Sequence, residues 1–407
     1  MYRFIYPVKD AYIYELKTND EKNFGGDESL VLKKDFSGKT GLNGVSRIFL
    51  KFDLTEISNS IVAGDISNPS YYLRLYEQKS SELSPEYQLN AYALSSSWEN
   101  GTGYITQDPN SRNGVSWKRS DETFSHLSWS VGGINTIEIG VDSASKSVDS
   151  LHLHLDTGSR KDGGGVWYDE GGLNVPGGDI ASVSSQSFSY QSPNIEMNVG
   201  GIVNKWLDGT RQNEGFIVKW DSNDSSMNST SQSQEDSTSI TGDISFYSMN
   251  AGSTFSPKIE VRWDGHLPCT GSNTGSLTQL TIDGTKDNYL YMINLRDTYR
   301  ETEIPRFRVG GRERYQTKSV STSKSATSTL FVPEGSGSYS IIDVTTGETL
   351  IPFGSNSLLS CDSTSNYFKQ KLDEFINNRL YRIKFRLRMN DGRYRIFDDD
   401  FNFKVIS

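Results

Sequence analysis

Three sets of residues in this chain are of the right type to do chemistry. In "SLHLHLD", His152 and His154 stand at i and i+2, and Asp156 follows at the same parity. In an extended strand all three share one face. Imidazole and carboxylate are ordinary zinc ligands. No third or fourth ligand is visible in the sequence, and a polar outer strand face gives the same pattern, so no metal ligand is assigned. Carboxylates are plentiful, as in "YDEGG" (168–172). A glycosidase pair, however, must be set about 5 Å or about 6.5–9.5 Å apart in space. There is no phosphate-cradling P-loop and no G-x-S-x-G nucleophile elbow. No catalytic residue and no cofactor are assigned, and the protein is read as a non-enzyme. Cys269 and Cys361 make neither a disulfide framework nor a metal site alone, and are read as free thiols.

The second set is aromatic. Trp98, Tyr104, Trp117, Trp167 and Tyr168 lie in or beside glycine-rich loops. Exposed rings there would stack on sugars, which makes Trp98, Trp117, Trp167 and Tyr168 the glycan-stacking candidates. Each ring would serve equally as a core anchor, packed by its faces and holding one polar partner. The third set is cationic. Arg382, Lys384, Arg386 and Arg388 share one face of a strand, with Ile383, Phe385, Leu387 and Met389 on the other. Like charges stacked along one face repel unless something offsets them. Three offsets are open: water and salt, the acidic run Asp398–Asp400 in the same sheet, or an acidic surface on a neighbouring subunit. The four cations are therefore partner-binding candidates, with nucleic acid a minor fourth alternative.

The elements that must position these residues are short and strand-like. "DAYIYEL" (10–16), "ESLVLKK" (28–34), "RIFLKFDL" (47–54), "YYLRLYE" (71–77), "YQLNAYAL" (87–94), "NTIEIGV" (135–141), "SLHLHL" (150–155), "GFIVKW" (215–220), "DISFYS" (243–248) and "PKIEVRW" (257–263) follow one another between turn residues. In "SRIFLKFDL" the alternation predicts an oily face of Ile48, Leu50, Phe52 and Leu54 and a mixed face of Phe49, Lys51 and Asp53. "NVGGIVNKWLDG" (198–209) has helical spacing and a C-cap glycine. The stretches 158–179 and 222–239 read as surface loops. After 264 strand patterns resume, "SNYFKQKLDEFINN" (365–378) reads as a helix capped by Ser365, and Asn390-Asp391-Gly392 turns a final hairpin. The expected fold is all-β. An N-terminal jelly-roll or β-sandwich domain (1–264) leads through a linker (265–276) to a C-terminal Ig-like β domain (277–407) carrying one short helix.

Charge divides along the same line. The net charge is −10. From His266 to Ser407 there are 19 Lys+Arg and 16 Asp+Glu, leaving 22 and 35 before that point. An acidic first part repels phosphates, so nucleic acid is not an expected partner there. No run of about 18 apolar residues occurs, so membrane insertion is not expected. The start, "MYRFIYPVKDAYIYELK", shows no apolar stretch of signal-peptide kind.

Several segments of residues 1–264 also carry a resemblance. "DAYIYE" followed by "NFGGDESLVLKK", the strands "SRIFLKFDL" and "YYLRLYE", the loops "SSWENGTGY" and "NGVSWKR", and the run "GGIVNKWLDG…NEGFIVKW…ISFYS…SPKIEVRW" are similar in order and spacing to the DNRLRE-type β-sandwich. That family is related to carbohydrate-binding modules. Its naming hexapeptide does not occur here. "MINLRDTYRETEIPRFRVGGRERY" and "FKQKLDEFINNRLYRIKFRLRMNDGRYRIF" resemble the Ig-like β domains of tailed-phage virion proteins. The combination implies a virion structural protein of the neck, collar, baseplate, fibre attachment or capsid surface. Its partners would be other virion proteins and copies of itself, and it would be made in the host cytoplasm. The alternative implied is a carbohydrate-binding or adhesin module that attaches to host surface glycans.

Overall fold

The computed structural model describes residues 1–15, 21–36, 43–108, 110–111, 113–121, 127–131, 134–135, 153–155, 163–168, 183–220, 235, 240–315 and 329–407. The chain forms two compact units. A sandwich unit comprises Ile5–Ser58 and Ser70–Glu260, and a C-terminal unit comprises Met1–Phe4, Asn59–Pro69 and Val261–Ser407.

The sandwich unit is built from strands β1 (Pro7–Tyr14), β2 (Ser29–Phe36), β3 (Asn43–Phe52), β4 (Ser70–Leu75), β5 (Glu77–Ser81), β6 (Glu86–Ala93), β7 (Val183–Ser189), β8 (Ile195–Asn198), β9 (Phe216–Trp220), β10 (Gly242–Tyr247) and β11 (Lys258–Arg262). Its main sheet runs β7-β6-β9-β3-β2-β10-β5, with β1 also on β3, and β4 lies between β11 and β8 in a second sheet. β3 changes partner along its length. Asn43–Val45 pair with β2, and Ser46–Phe52 pair with β1. One long strand thereby joins two stretches of the main sheet.

The oily face of β3 is buried as the alternation predicts: Ile48, Leu50, Phe52 and Leu54 are all in the core. On the mixed face Lys51 stays half-buried and Asp53 exposed, but Phe49 is taken into the core. Phe49 is fully enclosed, with Trp98 edge-on at 5.6 Å and Trp129 stacked at 5.5 Å. Period-two alternation cannot show that loops from distant sequence fold down over the outer face. The predicted helix forms as α2 (Gly200–Leu207), between the earlier α1 (Thr55–Val62) and β9. Its buried Ile202, Val203 and Trp206 face the core, and Trp206 meets Phe216 at 4.7 Å. Gly209 ends it with φ +76 and open space where a Cβ would be, which is what a left-handed position after a helix requires. α1 escaped the sequence reading because only Ile57 of its residues is buried. The Asp53 carboxylate accepts from Thr55 N at 2.9 Å at its start.

The C-terminal unit is a two-sheet β structure. Its longer strands are β12 (Asn288–Met292), β13 (Thr298–Arg300), β14 (Arg306–Glu313), β15 (Gly337–Asp343), β16 (Thr349–Ile351), β17 (Asn366–Lys369), β18 (Leu380–Arg388) and β19 (Tyr394–Ile406). One sheet pairs β14 with β12 and β17, and the other runs β13-β19-β18-β15-β16. Aromatic rings from both sheets meet between them: Tyr339 stacks on Phe368 at 3.8 Å, and Phe307 lies 5.1 Å from Phe403. Residues 265–276 are hydrogen-bonded into this unit, with Leu267 N donating to Ser360 Oγ at 3.0 Å and Cys269 buried. Cys269 and Cys361 are free and buried.

The helix expected at 365–378 is not formed. Its first residues are strand β17, and turns follow. The apolar spacing there is compatible with a helix, but tertiary partners decide otherwise. Buried Asn366 accepts from Val332 N at 2.6 Å and donates to Val332 O, Phe368 fills the inter-sheet core, and β14 supplies the ladder. No helix among the described residues is long and apolar enough to cross a membrane.

Candidate glycan-binding platform

The tryptophans named from the sequence are not surface platforms. Trp98 and Trp117 are 2% exposed and Trp167 is 0% exposed. They form one core with Phe49, Tyr92, Trp129 and Ile217. Their large apolar faces are covered by protein, so no sugar can stack on them, and the stacking role assigned to them is corrected to core anchoring. Two of them sandwich a cation. The Arg47 guanidinium lies 4.8 Å from the Trp117 ring and 5.0 Å from the Trp167 ring. Fully buried Arg47 forks onto the Glu235 carboxylate at 3.1 and 2.7 Å, and Lys219 reaches the same carboxylate at 3.1 Å. Tyr168 is half-buried with Arg211 3.9 Å over its ring, so one face is already occupied.

Within the 150–156 stretch the structure shows only residues 153–155, whose strand pairs His154 with Trp167. His152 and Asp156, like the carboxylates of "YDEGG", lie outside the described residues. Among those described, no three His, Cys, Asp or Glu side chains gather as a metal site.

The basic ladder forms on β18 as expected, and the charges of Arg382 and Lys384 are met within its own sheet. Arg382 pairs with Asp400 at 2.9 Å and with Asp398 at 3.8 Å, and Lys384 pairs with Asp398 at 2.7 Å. Arg386 lies over the Tyr394 and Phe353 rings, and Arg388 is exposed. The acidic run of the same sheet is thus the offset. It acts through the hairpin register that sets Arg382 opposite Asn402 and Ile383 opposite Phe401.

The segments "NFGGDE", "SSWENGTGY" and "NGVSW" meet as one clamp of loops in the sandwich unit. Buried Asn23 is its hub. Its amide donates to Asn100 O and Val115 O, each at 2.8 Å, and its oxygen accepts from Gly103 N at 2.9 Å and Gly25 N at 3.1 Å. Asn100 donates to Gly25 O and accepts from Asp10 N, both at 2.8 Å. The chains run so close that a Cβ on Gly25 would stand 1.9 Å from Asn100 O, and one on Gly101 1.9 Å from Asn113 O. Glycine is therefore required by contact, and the loop is held rigid.

This clamp presents one ring to solvent. Tyr104 is 47% exposed. Its ring lies against Gly26, where a Cβ would come within 2.8 Å of Tyr104 Cζ. The backbone beneath is fixed from several sides: Gly26 N donates to Gly103 O at 2.9 Å, Asn110 Nδ2 to Tyr104 O at 2.8 Å, and Gln107 N to Tyr104 O at 3.0 Å. The Asp27 carboxylate accepts from Ile105 N at 3.1 Å and from Tyr12 OH at 2.9 Å. Burial raises the Asp27 pKa against those two hydrogen bonds. Deeper in, burial pushes Asp10 up to about 7 although Met249 N donates to it at 2.7 Å. A flat ring on a rigid base, bordered by amide and carboxyl groups that donate and accept, is what a pyranose requires: C–H edges on the ring, hydroxyls on the polar groups. Sequence reasoning placed Tyr104 among the loop aromatics but had no means of separating it. The only signal was its position after the glycines of "NGTGY".

These loops fall within residues 2–134, which match the model of carbohydrate-binding module family 96. The first part of the chain is thus a carbohydrate-binding-module-like β domain. The match ends inside the sandwich unit. β7, β9 and β10, all beyond residue 134, interleave with β6, β3, β2 and β5 in the main sheet, so the structural unit reaches Glu260. No curated protein matches the chain.

Proposed function

We propose that the protein is a non-catalytic carbohydrate-binding protein whose sandwich unit holds a surface glycan against Tyr104. The Tyr104 ring carries this reading: it is an exposed aromatic seated on a glycine, within the segment that matches a carbohydrate-binding module. The test is a glycan array followed by titration of the best hit. Tyr104→Ala is expected to weaken binding at least about tenfold, the loss of roughly 1.4 kcal/mol of ring contact, with the thermal unfolding midpoint held. An array without hits, or unchanged affinity in Tyr104→Ala, overturns the reading. Trp98, Trp117 and Trp167 are expected to act through stability instead.

The second reading is a place in a tailed-phage virion. Its support is the C-terminal resemblance together with the interface-like composition of one face of that unit, described below. Of the β18 ladder, Arg382 and Lys384 already pair with Asp398 and Asp400, which leaves Arg386 and Arg388 as its partner-binding candidates. Mass spectrometry of purified particles from the source would find the chain in stoichiometric amount if this placement holds, and its absence there would end it.

A further inference from the structure

Two surfaces on this chain remain outside the glycan platform, and their chemistry is complementary. The first is the outer face of β14 and its neighbours. Alternation puts Phe307, Val309 and Gly311 inward and Arg306, Arg308, Arg312 and Arg314 outward. β12 sets Tyr289 beside Arg312 and Tyr291 beside Gly310, and β17 sets Tyr367 beside Arg308 and Lys369 beside Arg306. The guanidiniums lie over the rings, Arg306 4.4 Å from Tyr367 and Arg312 5.0 Å from Tyr289. Stacking fixes each planar fork and reduces the rotamer freedom lost on binding. Acids meet only part of this charge. Asp362 pairs with Arg306 at 3.1 Å and Arg308 at 2.9 Å, and Asp287 lies 3.6 Å from Arg314. Arg312 and exposed Lys369 have no ion pair among the described residues. Arginine and tyrosine with little lysine is the composition of protein interface centres rather than of ordinary surface.

The second surface lies on the sandwich unit. Among the described residues, five non-glycine residues have positive φ: Asn68, Glu82, Tyr190, Asn378 and Asp400. Asn and Asp tolerate that region, whereas Glu82 and Tyr190, each at φ 54, do so at a cost. These two share one end of the unit. Tyr190 N donates to Pro85 O at 3.2 Å, and the β6–β7 register sets Ser189 opposite Glu86. The result is a tyrosine 85% exposed, held out beside exposed Glu82 and Glu86. It projects from a part of the chain in which acids outnumber bases 35 to 22 before His266.

We propose that the protein self-associates head to tail, the arginine–tyrosine face of one copy receiving the Tyr190 knob and its glutamates from the next. The two patches differ, so the contact is heterologous and propagates into a ring or a filament rather than closing as a twofold dimer. Carboxylates of the knob meet forks that are already oriented, so association is fastest and tightest at low salt. The contact is independent of the glycan reading.

The experiment is sedimentation velocity on the full chain up to concentrations on the order of 100 µM, at low and high salt. Two variants accompany it, Arg306→Glu with Arg312→Glu, and Glu82→Lys with Glu86→Lys. All four positions are at the surface, and unchanged circular dichroism and melting confirm folding. The wild type is expected to form oligomers that dissociate with salt. Each variant alone is expected to lose them at least tenfold in affinity, and an equimolar mixture of the two to recover association, because one intact face then meets one intact knob. A wild type that stays monomeric at all concentrations, or variants that associate as wild type does, overturns the proposal. So does a mixture that fails to associate. Tyr104→Ala is expected to oligomerise normally, so failure here and failure of the glycan reading are separate results.

Discussion

Removing one carboxylate from the sandwich core is expected to be among the costliest single changes in this protein. Glu235 is 1% exposed and meets two cations, Arg47 at 0% and Lys219 at 2%. In Glu235→Gln the shape persists but the charge does not. Both cations then lose their shared carboxylate inside a core rich in tryptophan, where Arg47 keeps the Gly164 carbonyl at 2.7 Å and the Trp117 and Trp167 faces among its contacts. Breaking a buried pair by removing one partner costs about 3–5 kcal/mol, and the ring faces return about 1–2 kcal/mol of that for a desolvated cation. A net loss of about 1–4 kcal/mol is expected. Six of the seven tryptophans lie in this unit, all but Trp263, so intrinsic fluorescence in urea follows its unfolding. With a slope of about 2 kcal/mol per M, the midpoint should fall by roughly 0.5–2 M. Replacing Arg47, Lys219 and Glu235 together by apolar residues of similar volume should cost less than the single change, since the carboxylate and both of its cations leave the core together. If Glu235→Gln loses less than about 1 kcal/mol at unchanged slope, the carboxylate is not what holds these cations, and the reasoning fails.

Three further outcomes test the description. Gly101→Ala should lose more than about 2 kcal/mol, because φ +75 and a contact at 1.9 Å both oppose a Cβ, whereas Gly64→Ala, at φ +80 in open space, should lose only about 1 kcal/mol; urea midpoints compare them. Asp10, pushed up to about 7 by burial, holds its proton more tightly folded than unfolded. Its contribution is complete below about pH 4 and is lost as pH rises through 7, so Asp10→Asn should flatten the stability profile between those values. The Lys384–Asp398 pair, with side chains 26% and 32% exposed, should show a coupling of at most about 1 kcal/mol in a double-mutant cycle, shrinking in high salt.

Much of this protein is written locally. The strands at 10–16, 28–34, 47–54, 71–77, 87–94, 215–220 and 243–248 are legible because a strand's period of two is a property of consecutive residues. α2 is legible because its buried spacing and its ending glycine lie within twelve residues. The all-β class follows from the same patterns, as do the loop segments of the carbohydrate-binding-module-like part. What the sequence left open depends on contacts between residues far apart in the chain. Trp98 and Tyr104 sit six positions apart in the same loop run, yet one is buried and the other is exposed. Only the descent of that loop onto Phe49, and the absence of a Cβ on Gly26, decide which ring faces water. The 365–378 stretch has helical spacing, yet it starts as a strand and goes on in turns because β14 and the inter-sheet core offer its backbone and Phe368 better partners. The β18 cations looked like a surface awaiting an acid, until the return of β19 in its register brought Asp398 and Asp400 beside them. Residue type and period fix what a segment is able to be; burial, charge pairing and exposure are set when distant segments meet.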